Sequence, residues 1–379
     1  MARPDPDAFA ALLSDWCLEA QEGQQVLVRS TTLAAPLLTA LQRALLERGA
    51  WPLLRPELPG QQEGFFASAR DAHLDAFPEA ERAVAESVDA FLAIQAPFNT
   101  RALAGVDPAA QARVINATRP LRDLRLQKRW AISVWPTEAQ AQEAGMALDD
   151  FAAFVERALF LDRPDPAGAW RELSDFQTGL VDRLKAAKEL HIEADGTDLR
   201  LNVKGRTWIN SDGRRNMPSG EVFTGPVENS ANGHIRFTVP SSPGGVDVAD
   251  VELTFADGVV REARAERGQA YLDATLDADA GARRLGEIGI GTNFGIDRAV
   301  GSILLDEKIG GTVHLAVGRS YPESGGVNDS SVHWDLICDL RAGGTNESVV
   351  HWDLICDLRE GGKLSVDGEP LLVDGSFRT

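Results

Sequence analysis

The chain has 379 residues, of which 44% are hydrophobic and 25% are charged. This composition is typical of a globular protein long enough for two domains with cores of their own. It excludes peptide hormones, disordered tails and disulfide-stapled miniproteins. Thirty-eight Lys and Arg oppose fifty-seven Asp and Glu, a formal net charge of −19. We therefore expect no nucleic-acid partner, because phosphate groups would be repelled.

The cysteines and the amino-terminal residues indicate a cellular compartment. Cys17, Cys338 and Cys356 form no disulfide-rich spacing, which favours a reducing environment. The stretch MARPDPDAFAALLSDW has neither a basic leader nor an uninterrupted apolar run. Because no segment approaches the ~20 apolar residues of a membrane helix, we expect a cytoplasmic protein with no membrane partner.

The first half of the chain alternates predicted helices with short buried strands. Helices are predicted over 7–18, 33–48, 79–87, 108–117, 148–161 and 166–189. The predicted strands are QQVLVRS, WPLLRP, DAFLAIQAP and RWAISVWP. Such alternation predicts an α/β layer with a mostly parallel sheet.

After Leu190 polar and apolar residues alternate, and turn dipeptides such as Asp195-Gly196 appear. This pattern predicts a mixed, mainly β domain with hairpins at 257–267 and at the closing LSVDGEPLLVDG. We place the boundary near Asp165. The fold class is therefore α/β followed by α+β, with an α/β domain over 1–165 and a second domain over 166–379.

A tandem duplication lies near the carboxy terminus. Residues 325–342, GGVNDSSVHWDLICDLRA, are followed at once by 343–360, GGTNESVVHWDLICDLRE, with fourteen identities in eighteen positions. Two copies are too few for a solenoid, so we interpret the repeat as a local duplication. If only one copy can occupy its site, the other is an insertion.

Three histidines in strand-like surroundings are candidates for chemistry: His314, His333 and His351. In both copies of HWD the His and Asp are two residues apart, which places them on one face of a strand. In a helix the same spacing would turn them about 200° apart. From the residues alone, a lone strand histidine is more often a satisfied core or surface residue than a ligand.

Two carboxylates stand among glycines and apolar residues, Glu221 in SGEVFTGP and Glu287 in GARRLGEIGIG. Burial of an unpaired carboxylate would be costly. From composition alone, exposure or pairing with a nearby Arg, such as Arg283 or Arg284, is the simpler interpretation.

Two weaker patterns are interpreted as connections. GIGTNFG at 289–295 loosely resembles a dinucleotide-binding loop, but it follows a helix-like segment containing Glu287 and is interpreted as a turn. DADA at 277–280 lacks calcium-loop spacing and is interpreted as the cap that opens that helix. No Gly-x-Ser-x-Gly elbow supports a serine hydrolase.

Four stretches carry a resemblance to a known family: NMPSGEVFTGPVE, LDADAGARRLGEIGIGTN, LLDEKIGGTVHLAVGRSYPESGG and NESVVHWDLICD. They resemble the metal-binding blocks of the thermophilic aminopeptidase family, the aminopeptidase T and aminopeptidase S type metallopeptidases, in that family's order and roughly its spacing. The resemblance covers the whole chain, weakly in the α/β half and strongly from about Leu199.

The resemblance implies a site held by the second domain. Its ligands for two divalent ions would be Glu221, Glu287, His314 and the His and Asp of one HWD copy, with catalytic roles for Glu221 and Tyr321. Mixed imidazole and carboxylate ligands suit zinc, cobalt or manganese. Tyr321 lies seven residues after His314, so it reaches the same cavity only if the strand has ended or bulged. Without the resemblance, a strand-end aromatic covering the core is equally expected.

The two copies of HWD compete for one position. His333 and Asp335 keep a short link to Tyr321, whereas His351 and Asp353 keep the tight turn into the final hairpin. A loop absorbs an insertion at small entropic cost, while an insertion inside a hairpin breaks its register. We therefore favour His351 and Asp353, with His333 and Asp335 as the alternative.

The expected function is a cytoplasmic metallo-aminopeptidase that cleaves short peptides with a metal-activated water. The resemblance further implies a homodimer. The alternative is a non-catalytic peptide-binding or scaffold homologue whose site the duplication has disrupted.

Overall fold

The computed structural model describes residues 4–240, 246–332 and 353–378. The chain divides into two compact units. The described residues of the first unit lie within Met1–Ala169 and Gly213–Pro218, and those of the second within Trp170–Asp212, Ser219–Leu336 and Ser348–Thr379. The predicted domains 1–165 and 166–379 stay a prediction. Among the described residues, no helix has the length and apolar character required to span a bilayer.

The helices are α1 (Pro6–Leu12), α2 (Ala35–Glu47), α3 (Gln61–Ser68), α4 (Asp71–Leu74), α5 (Glu79–Ser87), α6 (Pro108–Leu126), α7 (Glu138–Glu143), α8 (Leu148–Ala158), α9 (Pro166–Leu184), α10 (Gln269–Leu276) and α11 (Ile303–Asp306). The strands are β1 (Gln25–Thr31), β2 (Trp51–Glu57), β3 (Ala90–Gln95), β4 (Arg129–Val134), β5 (Glu189–Ala194), β6 (Thr197–Asn202), β7 (Ile209–Ser211), β8 (Asn216–Met217), β9 (Glu221–Thr224), β10 (Asn232–Phe237), β11 (Ala249–Ala256), β12 (Val259–Arg267), β13 (Leu285–Gly291), β14 (Thr312–Val317), β15 (Asp353–Asp357), β16 (Lys363–Val366), β17 (Glu369–Val373) and β18 (Ser376–Phe377).

The first unit contains a sheet in the order β2-β1-β3-β4-β8. Every neighbouring pair in it is parallel. The apolar runs of β1 and β3 are buried almost throughout, as expected of strands covered on both faces. The predicted α/β layer with a parallel sheet is confirmed.

Several predicted helix ends differ from the observed ones. The helix predicted over 7–18 ends at Leu12 and continues as a π-turn to Cys17. The helix predicted to end at residue 117 continues through Pro120 to Leu126. Proline lacks an amide proton and usually stops a helix. Here Leu121, which follows it, belongs to a buried apolar cluster, and Leu124 packs against that cluster, so the helix is held beyond Pro120.

In the described part of the second unit, two antiparallel sheets share one apolar core. The larger sheet has the order β12-β11-β10-β6-β5-β16-β17-β18 and the smaller β15-β14-β13-β9-β7. Ile192 of β5 lies in the same core cluster as Ile288 of β13 and Leu315 of β14. The predicted mainly β character of this half is confirmed.

Glu287 lies inside a strand, so the predicted helix before it is wrong. Ala278, Ala282 and Leu285 have helical spacing, but Asp279 accepts hydrogen bonds from the backbone N–H of Gly281 and of Ala282 and so closes a turn. DADA therefore opens no helix.

We predict that Ile288→Ala lowers the free energy of unfolding by roughly 2–5 kcal/mol, because it leaves a cavity between the two sheets. Ile288 is 0% exposed. Urea denaturation of the variant and the wild type measures the difference. Val327→Ala is the control, since Val327 is 78% exposed and its truncation should cost no more than about 0.5 kcal/mol. Equal losses in both variants would show that β13 does not anchor this core.

Candidate functional site

Backbone pairing brings three predicted ligands to one sheet face. Glu221, the first residue of β9, pairs with Gly291 of β13. His314 of β14 pairs with Gly289 of β13. Alternate residues of a strand share a face, as do directly paired residues of neighbouring strands. Glu221, Glu287 and His314 therefore project from the same side of the smaller sheet.

The three side chains meet in the protein interior. His314 Nε2 lies 3.2 Å from Glu221 Oε2 and 3.7 Å from Glu287 Oε1. The residues are 1%, 4% and 5% exposed, respectively. The structure thus brings together residues separated by up to 93 positions along the sequence.

Glycines in β13 make room for this cluster. A Cβ at Gly289 would lie 2.1 Å from His314 Cε1 and Nε2, and one at Gly291 would lie 2.0 Å from the carbonyl oxygen of Ile309. Any larger residue at 289 would push against the imidazole. The interpretation of 289–295 as a turn is wrong for its first three residues, which complete β13. Alternation of glycine with Ile288 and Ile290 is a strand pattern, with isoleucine on the core side.

Polar atoms of the cluster lack hydrogen-bond partners within the described residues. They are Glu221 Oε2, Glu287 Oε2 and His314 Nδ1. Leaving such atoms unpaired in the interior is costly. Carboxylate oxygens and imidazole nitrogens are ligands that zinc, cobalt and manganese accept. The residues present therefore fit a divalent metal ion in the chemistry of their donor atoms.

The cluster is incomplete without further ligands. Within residues 4–240, 246–332 and 353–378, no three His, Cys, Asp or Glu side chains form a metal-binding group by themselves. His333, Asp335 and His351 lie outside the described residues, and Asp353 is the first residue of β15. The five-residue ligand set stays a prediction.

Burial and like charges alter the proton affinity of the cluster. Burial raises the pKa of Glu287 to about 7, against the lowering effect of His314, and the neighbouring Glu221 and Glu307 add to the rise. Burial by itself would lower the pKa of His314, but Glu287, Glu221 and Glu307 raise it overall. Protons therefore compete with any cation here, and metal affinity should fall as the pH falls.

A buried cation that was not predicted from the sequence lies beside this cluster. Lys308 Nζ lies 2.7 Å from Glu221 Oε1 and also contacts the carboxylate of Glu307. Lys308 is 1% exposed. Burial opposes its charge, but Glu221 and Glu307 hold the pKa of Lys308 above its usual range. The sequence does contain a pattern that indicates a buried charged group here, since DEK at 306–308 is a charged triplet within an apolar and glycine-rich stretch.

Asp306 fixes the turn that carries this lysine. Its carboxylate accepts hydrogen bonds from the backbone N–H of Val300, at 2.8 Å, and of Gly301, at 2.9 Å. Burial raises the pKa of Asp306 to about 7, although these N–H donors oppose the rise. The buried acid therefore organises the backbone before Glu307.

Tyr321 lies after the end of β14, which stops at Val317. Its ring centroid is 5.3 Å from that of Phe223, at an interplanar angle of 56°. Phe223 is two residues after Glu221 in β9 and so shares its face. The strand has therefore ended before Tyr321, which is the condition under which this side chain can lie near the cluster. The catalytic role of Tyr321 stays a prediction.

Residues 4–377 match the model of the thermophilic metalloprotease family, M29. The chain belongs to this family. The resemblance predicted from the sequence is thereby confirmed. The predicted enzyme class, a hydrolase of the aminopeptidase type, is confirmed as well, since the relatives of the chain are named aminopeptidases.

Three relatives span most of the chain. Aminopeptidase 2 of Geobacillus stearothermophilus is 32% identical over 380 residues, which cover 87% of this chain and 91% of the relative. Aminopeptidase T of Thermus aquaticus is 28% identical over 362 residues, 84% and 88% of the two chains. The solved structure of wild-type AmpT from Thermus thermophilus matches with a TM-score of 0.80 and 25% identity, covering 99% of each chain. This structural match confirms the predicted fold class.

We predict that Gly289→Ala weakens metal binding roughly 10–100-fold, because the added methyl group displaces the imidazole of His314. Calorimetric titration of the metal-free protein with Zn²⁺ measures the affinity. Gly179→Ala in α9 is the matched control, since a Cβ there meets nothing within 4 Å and alanine favours a helix. Unchanged Zn²⁺ affinity in Gly289→Ala would contradict the placement of His314 at a metal ion.

Proposed function

We propose that the protein is a metal-dependent aminopeptidase that removes the amino-terminal residue from short peptides. Two divalent ions, zinc, cobalt or manganese, would be held by Glu221, Glu287, His314, His351 and Asp353. The observation that carries the proposal is the convergence of two buried carboxylates and an imidazole with unpaired oxygen and nitrogen atoms. Membership of a metalloprotease family supports it.

When bound, such ions supply a water of lowered pKa and polarise the carbonyl of the bond to be cut. The protein's own part is to hold the donors in place before substrate arrives. Lys308 donates a hydrogen bond to Oε1 of Glu221, whereas Oε2 has no such partner among the described residues. We therefore assign both proposed roles of Glu221, metal ligand and catalytic residue, to Oε2. We assign to Tyr321 a hydrogen bond from its hydroxyl to the substrate carbonyl oxygen.

The pairing of β14 with β15 supports the second HWD copy. Ile355 is the backbone partner of His314, and Asp353 that of Ala316. The DLICD segment of the second copy thus lies along the strand that carries His314. This favours His351 and Asp353 over the alternative pair, His333 and Asp335.

The remaining parts of the proposal rest on the family resemblance and on composition. They are a homodimer, a cytoplasmic location and the absence of nucleic-acid and membrane partners. The formal net charge of −19 supports the exclusion of nucleic acid.

We predict that the purified protein binds about two divalent ions per chain and releases the first residue of an unblocked dipeptide. Metal content is measured by mass spectrometry after dialysis, and hydrolysis by chromatography with added Co²⁺ or Zn²⁺. A peptide with an acetylated amino terminus is the control and should stay intact. Metal binding without hydrolysis of any short peptide would favour the binding-module alternative, and absence of metal binding would remove the ligand assignment.

We predict that His351→Ala abolishes hydrolysis and that His333→Ala has a mild effect. The two variants make the same chemical change in identical nine-residue segments, HWDLICDLR, so each is the control for the other. Peptide hydrolysis at saturating Co²⁺ measures both. The reverse result would assign the site to the first copy, and two mild results would contradict both choices of ligand.

A further inference from the structure

Lys308 and Glu307 form a buried ion pair beside the proposed metal ligands. The two side chains are 1% and 4% exposed. The ammonium group also donates to Glu221 Oε1 at 2.7 Å. Lys308 is among the largest fully buried side chains of the described chain, and burial of an ammonium group is tolerated only with such partners.

The backbone around Lys308 is tied to the segment that leads into Glu221. The carbonyl oxygen of Lys308 accepts a hydrogen bond from the N–H of Asn293 at 3.0 Å. The side-chain amide of Asn293 donates to the carbonyl oxygen of Ser219 at 2.9 Å. The N–H of Thr292 donates to the carbonyl oxygen of Gly220 at 2.8 Å. The lysine and Glu221 are therefore held in a common frame of short hydrogen bonds.

This contact divides the two oxygens of Glu221 between different tasks. Oε1 is bound by the ammonium group, while Oε2 points to His314 Nε2 at 3.2 Å and has no hydrogen bond within the described residues. Rotation of the carboxylate would break the contact with Lys308. Glu221 is therefore restricted to one oxygen for any cation placed near His314.

We propose that Lys308 is a positioning residue of the metal centre. Its ammonium group holds Glu221 as a one-oxygen ligand, and Glu307 holds the ammonium group. This inference rests on the function proposed above. The Glu307–Lys308 pair is neutral as a whole, so it orients Glu221 without changing the net charge that the metal ions must balance.

The test uses variants that separate orientation from charge. Lys308→Met alone takes the positive charge away from the buried carboxylates of Glu307 and Glu221, a strongly destabilising change. The double variant Lys308→Met with Glu307→Gln removes both charges together. The matched control is Lys363→Met with Glu193→Gln, which removes an ion pair of 2.6 Å whose side chains are 39% and 40% exposed.

Metal-free wild type and both double variants are titrated with Co²⁺, by calorimetry and by the visible absorption of the bound ion. We expect the Lys308 double variant to bind Co²⁺ roughly 10–100-fold more weakly and with an altered spectrum, because Glu221 is free to rotate. The control should match the wild type in both readouts. Should the double variant fail to fold, Glu307→Gln alone carries the test, with a several-fold loss of affinity expected.

The outcomes distinguish this inference from the proposed function. If a folded double variant shows unchanged or tighter Co²⁺ affinity and the wild-type spectrum, the positioning role is overturned, while wild-type metal binding and peptide hydrolysis still support the enzyme. If the wild type binds no Co²⁺ and cleaves no peptide, the proposed function fails and takes this inference with it.

Discussion

The accumulation of buried negative charge around one imidazole is the constraint on which this protein's chemistry depends. Glu221, Glu287 and Glu307 together carry −3 when ionised, and Lys308 returns +1, so −3 + 1 leaves −2 beside a neutral His314. Interior charge of this size is unfavourable unless protons or cations compensate it. Burial raises the pKa of Glu287, and the neighbouring carboxylates raise the pKa of His314, so both groups hold protons more readily than usual. The metal ions of the proposed function would compensate this charge.

Strand β13 joins the stability of the second unit to the geometry of the cluster. Its isoleucines, Ile288 and Ile290, lie in the core shared by the two sheets, and its opposite face carries Glu287 and Gly289, which leaves room for His314. Core packing on one face thus fixes the positions of Glu287 and Gly289 on the other. A larger residue at 289 would leave no place for the imidazole, and one at 291 would collide with the backbone of Ile309.

Buried polar groups that form hydrogen bonds with one another surround the cluster. The carboxylate of Asp306 accepts hydrogen bonds from the backbone N–H groups of Val300 and Gly301. Asn293 forms hydrogen bonds with the backbone of Lys308 and with Ser219, which lies two residues before Glu221. Such networks are stable only when complete, so they hold their members in one arrangement. Among the described residues of the cluster, Glu221 Oε2, Glu287 Oε2 and His314 Nδ1 are exceptions, and they support the metal site proposed above.

The sequence by itself determined the fold class and named Glu221, Glu287 and His314 as candidate residues, because strand alternation, turn dipeptides and four ordered blocks are local patterns. It placed Glu287 on a helix, since Ala278, Ala282 and Leu285 imitate helical spacing, and it interpreted the strand glycines as a turn. Tertiary structure decided what local patterns do not encode: that Gly289 faces His314, and that Lys308 reaches Glu221 across 87 residues. The physical reason is that an ion pair between distant residues, and the space a glycine leaves, exist only after the strands have paired.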